Sequence, residues 1–451
     1  MLIPLALAQF ICSFAGSNMN VMINDISHDL NTTVKGVQTA ITVFLLVMAA
    51  FMIPGGKLTD RLGRKRCFRM GLAIYAIGAV MSALAPALGV LILGNSIFEG
   101  IGTALLIPPV YILTTLLFED IPSRARAFGA ISGMGGIGAA TGPLIGGLIT
   151  TAISWRAAFV FQALVVAGIV WLSRDLKDPL PADPASPMDP VGIVLSALGL
   201  VLLVMGIQAA ADNLWLTLVL MVLGAAFMVW FFVHIRAKER AGRTPLLSTD
   251  LFRNRVSNLG MVTQSVQWAV LLGTAFVVSA YLQVVRGYNA IQTGVIFTAA
   301  TVGILISSLL AERFAKRYAQ RRLILTGFVI TAFGIAALLV LVVWKPSVWA
   351  FMPGLFAIGF GSGLMLTPSV NIVQSSFSDD LQGEISGLSR AVSNLGSTLG
   401  TAIAGTVLVA LVAHGARSYG YAMIVLGAAT IIGLVAAFVL PDELPQPAGR
   451  A

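Results

Sequence analysis

Apolar runs of bilayer length recur along this chain, separated by short polar gaps. A bilayer core is about 30 Å thick, and about 20 apolar residues cross it as a helix. The runs lie near 2–24, 36–55, 68–86, 89–116, 126–151, 155–173, 190–210, 214–234, 256–283, 289–313, 322–343, 349–376, 383–412 and 419–440. They predict an all-α membrane protein with fourteen transmembrane helices. Only 10% of the 451 residues are charged, against about 25% in soluble domains. The net charge of +9 would suit a nucleic-acid binder if the bases formed one module. They lie instead in short gaps, so the expected partner is the lipid bilayer and not nucleic acid. Cys12 and Cys67 supply no disulfide framework. The first run starts at Leu2, with no positive charge before it and no small-residue cleavage site after a short core, so no signal peptide is expected.

Lys and Arg accumulate on the cytoplasmic side of membrane proteins. Gaps after even-numbered helices, with Arg69 and the carboxyl tail, hold about 22 of the 28 bases; Lys35, Arg156, Arg286, Lys345 and Arg417 lie on the other side. Both termini are therefore expected in the cytoplasm.

The densest basic run, Gly56 to Arg66, reads Gly-Lys-Leu-Thr-Asp-Arg-Leu-Gly-Arg-Lys-Arg. A patch for anionic lipid is the competing reading, but it requires neither the glycines nor Asp60. The run from Glu312 to Arg322 aligns on it without gaps, placing Arg61, Lys65 and Arg66 on Arg317, Arg321 and Arg322. Each run follows the second helix of a six-helix set if helices seven and eight are an insert. The fifth helix of each set carries spaced glycines (Gly138, Gly142 and Gly146; Gly396 and Gly400), which allow helix backbones to approach closely in lipid. The expected organisation is a six-helix bundle over 1–173, a Pro- and Asp-rich cytoplasmic linker over 174–189 and two inserted helices over 190–234. A cytoplasmic connector (235–255) and a second six-helix bundle with a short tail (256–451) follow.

With this layout, Gly-x-Leu-x-Asp-Arg-x-Gly-Arg-Lys at 56–65 and Gly142-Pro143-Leu-Ile-Gly146-Gly147 in helix five, the chain resembles the major facilitator superfamily. Within it, the chain looks like the fourteen-helix drug:proton antiporter family, over essentially its whole length. Pro245-Leu-Leu, Leu251-Phe-Arg-Asn-Arg255, Tyr281-Leu-Gln-Val-Val-Arg-Gly287 and Gly387-Leu-Ser-Arg390 are further similar stretches. The resemblance implies a major facilitator fold in which two bundles rock about a central cavity. It marks Gly56, Asp60, Arg61, Gly63 and Arg64 as a conformational latch, since Asp60 can accept bonds from an arginine or a helix N-terminus. It also marks Gly138, Gly142, Pro143, Gly146 and Gly147 as an antiporter element. Pro143 removes a backbone donor and favours a kink; close packing alone is the competing role.

Proton-coupled members carry an acidic residue in helix one and an arginine in helix four. Here those positions hold Ala15 and Ser96. Two charges remain within predicted spans, Glu99 in helix four and Arg390 in helix thirteen. A charge at that depth faces the bundle interior or a wet cavity. Glu99 is the candidate proton-coupling group; the alternative is a neutral or Arg-paired carboxyl that fixes packing. Arg390, from the other half, is a candidate charge partner or substrate contact.

Uncharged polar residues outline a cavity wall: Ser13, Ser17, Asn20 and Asn24 on helix one, Gln38 and Thr42 on helix two, Gln264, Gln267 and Trp268 on helix nine, and Asn371 and Gln374 on helix twelve. Any one of these is more often a helix-to-helix hydrogen bond than a ligand contact. His28, His234 and His414 share no metal-binding spacing, and no Walker A, triad or zinc signature appears. No metal, cofactor or enzymatic activity is expected. The expectation is a monomeric, multi-pass secondary transporter of a bacterial inner membrane that exports amphipathic small molecules and is coupled to protons. A lipid or specialised-metabolite exporter, or a non-transporting scaffold or sensor on the same fold, is the alternative.

Overall fold

The computed structural model describes residues 2–118, 121–176, 178, 182, 188–210, 212–315, 317–344, 347–377 and 382–441, and these contain helices and turns but no strand. The long helices are α1 (Leu2–Asp29), α2 (Val34–Leu62), α3 (Arg64–Ala83), α4 (residues 88–117), α5 (Ile121–Ala152), α6 (Trp155–Leu172) and α7 (Pro190–Ala209). They continue as α8 (Leu214–Arg240), α9 (Arg255–Val285), α10 (Ala290–Ala315), α11 (Gln320–Trp344), α12 (Met352–Gln374), α13 (Gln382–Ala410) and α14 (Arg417–Val439). Each falls on one of the apolar runs.

Among the described residues, twelve of them are long and apolar enough to cross a membrane; α3 and α5 are not among these twelve. Arg64, Lys65, Arg66 and Arg69 crowd the start of α3 and dilute its apolar character, while many side chains of α5 lie outside the described residues.

Helix starts follow from side-chain caps, which satisfy otherwise orphaned backbone amides. Thr33 caps α2 through the Gly36 amide, Ser154 caps α6 through Ala157, and Asn254 caps α9 through Val256 and Ser257. Gly63 divides α2 from α3 at φ +91°, a backbone region open chiefly to glycine.

The chain forms two compact units. One comprises Met1–Val201, Gly224–Leu246 and Asn289–Ile291, and the other Leu202–Leu223, Leu247–Tyr288 and Gln292–Ala451. In the first, Asp29 at the end of α1 accepts bonds from Arg156 and from Trp155 Nε1 at the start of α6. In the same unit Asp189 is buried and gathers four donors: the Gly192 amide at 3.0 Å, the Leu246 amide at 3.2 Å, His234 Nε2 at 2.9 Å and Lys238 Nζ at 3.1 Å. One carboxylate thus fastens the start of α7, the end of α8 and the connector. Burial pushes its carboxyl up, but the bonds from His234, the Gly192 amide and Lys238 outweigh burial and hold it below the ordinary carboxylate range. In the second unit, Ile324, Phe328, Met365, Ile372, Ala437 and Leu440 form a core across α11, α12 and α14.

Candidate functional site

Glycine decides how α5 sits in the first unit. A Cβ on Gly138 would strike the Phe10 carbonyl of α1, and one on Gly142 would strike Ser17. On Gly146 it would stand 3.2 Å from Asn18 and Met22, and on Gly135 3.0 Å from Gln9. The glycine face thus seats α1, the helix carrying the predicted polar residues. Gly147 lies off that face, against the backbone at Ala290 of the same unit, and Pro143 is buried.

The second unit repeats the device. Gly396 and Gly400 of α13 leave room for the Ser265 and Ala269 carbonyls of α9. In both units the fifth helix of the set lies on the first.

A second seam joins α3 to α4. Added Cβ atoms would stand 3.0 Å from the Gly102 carbonyl at Gly71, and 2.8 Å from the Glu99 amide at Gly78. On the other helix, one at Gly102 would stand 2.7 Å from the Tyr75 amide. Over Ile92–Glu99, α4 is wound as a π-helix, a rare form often found at functional sites. Ser96, at the position where the family carries arginine, is buried and donates from Oγ to the Ala40 carbonyl of α2 at 2.7 Å. Ala15 is likewise buried in α1.

Glu99 closes the π stretch and is fully buried within the first unit. Ser82 Oγ of α3 donates to its Oε1 at 3.4 Å, and the Tyr75 hydroxyl and Cys12 of α1 are within electrostatic reach. Tyr75 donates its hydroxyl to Gln162 Oε1 of α6. Sequence reasoning missed Tyr75 and Gln162. The available signal was a lone polar side chain in the middle of an apolar helix, which suits Gln162 in α6 well. Arg390 is half-buried on α13, in the second unit.

The predicted cavity residues divide by partner. On α1, Ser17 donates to the Phe14 carbonyl at 3.2 Å and Asn20 to the Ser17 carbonyl at 3.3 Å, both within their own helix. Asn24 is half-buried, while Gln38 and Thr42 are buried on α2. Gln9, absent from the predicted face, donates to Ser13 Oγ at 3.2 Å and accepts from the Tyr111 hydroxyl at 3.4 Å. On α9, Gln264 accepts from Ser389 of α13 at 2.9 Å, but Gln267 donates to the Ser362 carbonyl of α12 at 2.9 Å. Trp268 is half-buried; Asn371 is exposed, and Gln374 donates to Ser386 at 3.4 Å.

Of the residues predicted to form a latch, Gly56 is half-buried, Arg61 exposed and Arg64 half-buried. The side chain of Asp60, in the last turn of α2, lies outside the described residues. A linker carboxylate occupies the start of α3: Asp178 Oδ2 accepts from the Lys65 amide at 3.2 Å, and Lys65 Nζ donates to the Arg174 carbonyl at 3.3 Å. A cavity of about 610 Å³ opens there, lined by Gly63, Lys65, Arg66, Arg69 and Asp178 among others. No group of three or more His, Cys, Asp or Glu suited to a metal occurs among the described residues.

The family model described as Major Facilitator Superfamily matches residues 5–190, 188–401 and 259–451. Among similar proteins, the puromycin resistance protein pur8 of Streptomyces alboniger is 29% identical over 416 residues, covering 90% of this chain and 81% of its own. The multidrug efflux pump LfrA of Mycolicibacterium smegmatis is 29% identical over 374 residues, covering 82% and 73%. The multidrug resistance protein Stp of Mycobacterium tuberculosis (strain H37Rv) is 26% identical over 415 residues, covering 91% and 75%. Among solved structures, a peptide transporter POT in complex with sulfate superposes with a TM-score of 0.71 at 16% identity, over 97% of this chain and 93% of that one. That likeness concerns the fold.

Proposed function

This chain belongs to the major facilitator superfamily, and from that premise we infer that it is a secondary transporter exporting amphipathic small molecules by alternating access. The observation that carries the reading is the run of relatives named for drug resistance and efflux, each matched over most of both chains. It is a transporter and not an enzyme. The absence of a nucleotide-binding motif in the sequence leaves an ion gradient, or the substrate's own, as the driving force. Substrate contacts on Asn20, Gln38, Thr42, Gln267 and Trp268 suit such cargo, because apolar desolvation supplies most of the affinity and a few polar groups orient the ligand.

Proton coupling through Glu99 is part of the proposal, as are fourteen spans with both termini in the cytoplasm, a bacterial inner-membrane location and a monomeric state. Arg390, the second charge within a predicted span, is the proposed charge partner or substrate contact. The Gly56–Arg64 segment, at the junction of α2 and α3, is the conformational latch. Its support is the family signature together with the anchoring of α3 by the linker at Asp178.

The test uses ethidium as the probe in everted vesicles with an imposed pH gradient. Wild type is expected to accumulate ethidium, and Glu99→Gln to lose the gradient-driven part. Persistent gradient-driven uptake in the variant removes Glu99 as carrier, and no uptake in wild type removes multidrug export. One relative is named as a probable actinorhodin transporter, which favours a specialised-metabolite exporter as the second reading.

A further inference from the structure

The buried polar atoms around Glu99 do not balance. Glu99, Tyr75, Gln162 and Ser82 are all fully buried, on α4, α3, α6 and α3. Tyr75 donates its hydroxyl to Gln162 Oε1, and Ser82 occupies Glu99 Oε1. Two atoms are left without a partner, Glu99 Oε2 and Gln162 Nε2. The first is an acceptor, or a donor if protonated. The second is a donor only. Between them stands a phenol that can donate and accept at once.

A buried polar atom left unsatisfied costs about 1–3 kcal/mol, and more if charged. An arrangement with two such atoms at opposite ends of a three-residue chain is half of a pair. We propose that Tyr75 and Gln162 are positioning residues forming a hydrogen-bond switch that lets Glu99 gain and lose a proton inside the first unit. The proposal deepens the transporter reading and rests on it for its purpose.

Two arrangements use the same atoms. With Glu99 protonated, the carboxyl O–H donates to the Tyr75 oxygen and Tyr75 donates to Gln162 Oε1, as observed for the second bond. With Glu99 ionised, Tyr75 donates to Glu99 Oε2. The Gln162 amide then turns over, so that Nε2 donates to the Tyr75 oxygen. The proton that leaves Glu99 exchanges with water, and no other reactant is consumed. Each arrangement satisfies the carboxyl and the phenol, and the change is read out on α6 as the orientation of one amide. The titratable groups facing Glu99 are Tyr75 on α3 and Cys12 on α1. The α6 helix presents neutral Gln162, and α2 meets the neighbouring Gly100 with Val47 and Phe44.

The test is infrared difference spectroscopy against pH on the full chain, in liposomes of phosphatidylethanolamine and phosphatidylglycerol. The expected signal is a carboxyl band that titrates and is absent from Glu99→Gln. Tyr75→Phe removes the donor to the ionised form and also the acceptor of the protonated form; the bond to the charged form is the stronger, so the variant is expected to increase the proton affinity of Glu99 about tenfold. A merely structural phenol would leave the midpoint in place. If Tyr75→Phe does not fold, wild type decides alone: a tyrosine ring band must shift at the same midpoint, and Glu99→Gln must abolish that shift. The proposal is overturned by the lack of any Glu99-dependent band, by a Tyr75→Phe midpoint within about twofold of wild type, or by a tyrosine band that stays still. Intact infrared signals without ethidium uptake would instead remove the multidrug-export reading and leave the switch standing.

Discussion

Asp189 shows what one side chain can hold and how little of that the sequence displays. Its donors come from Gly192, His234, Lys238 and Leu246, and only the first is local. The others lie 45 or more residues along, in a stretch whose composition reads as an ordinary solvated connector. Asp189→Asn is expected to lower stability by about 2 kcal/mol at neutral pH, the size of a charge-assisted hydrogen bond, measured by thermal unfolding in detergent. Because the folded state holds this carboxyl below its ordinary range, its contribution is complete above the unfolded value of about 3.9. It fades as pH falls through the lower folded value, so the gap between variant and wild type closes on acidification. Ser96 makes the opposite point. Its place in the family pattern was legible as a departure, but its bond to the Ala40 carbonyl was not. Ser96→Arg is expected to reduce the yield of monodisperse protein, since it would bury a guanidinium against the partner of a hydroxyl. Ser96→Ala is expected to cost only about 1 kcal/mol.

Glycine spacing was the most reliable guide to how the helices meet. The sequence placed Gly138, Gly142 and Gly146 on one face of α5, with Gly396 and Gly400 in the corresponding α13. The structure supplies the partners, α1 and α9. A spacing names a face and not the neighbour that will occupy it, because every helix in lipid offers similar apolar surface. Gly138→Val is expected to cost about 1–3 kcal/mol by overpacking against the Phe10 carbonyl, with a matching loss of thermal stability in detergent. Gly136, two residues away, has open space around it, and Gly136→Val is expected to unfold within a few degrees of wild type. Equal effects at the two positions would remove the seam as the cause. Polar periodicity was the poorer guide. Ser17 and Asn20 spend their donors within α1, while Gln264 and Gln267 divide between α13 and α12. A shared stripe therefore did not mean a shared destination.

For the whole molecule, hydropathy located every long helix, yet it counts twelve candidate spans among the described residues. Basic residues at the start of α3 dilute its apolar signal, and many side chains of α5 lie outside the described residues, although both segments are helical. If the chain alternates between two facing states, single cysteines at Asn20 and Gln267 should change their labelling rate with a membrane-permeant and an impermeant maleimide when ethidium is added. A non-transporting scaffold would leave both rates unchanged. At the proposed latch, Asp60→Asn is expected to shift those same rates without removing the protein from the membrane. Identical labelling and transport would end that assignment.

The π-helical stretch from Ile92 to Glu99 also bears on how this chain should be aligned. An α-helix turns about 100° per residue, so a stretch wound with i→i+5 bonds has the signature of one residue inserted into regular helix. Deleting any residue there would regularise α4 and turn one of its ends against the other by roughly that angle. Ser96 and Glu99 could no longer face α2 and α3 together. A one-residue gap at 92–99 between this chain and a relative would therefore mark a protein whose polar interior is wired differently, however similar the rest of its sequence.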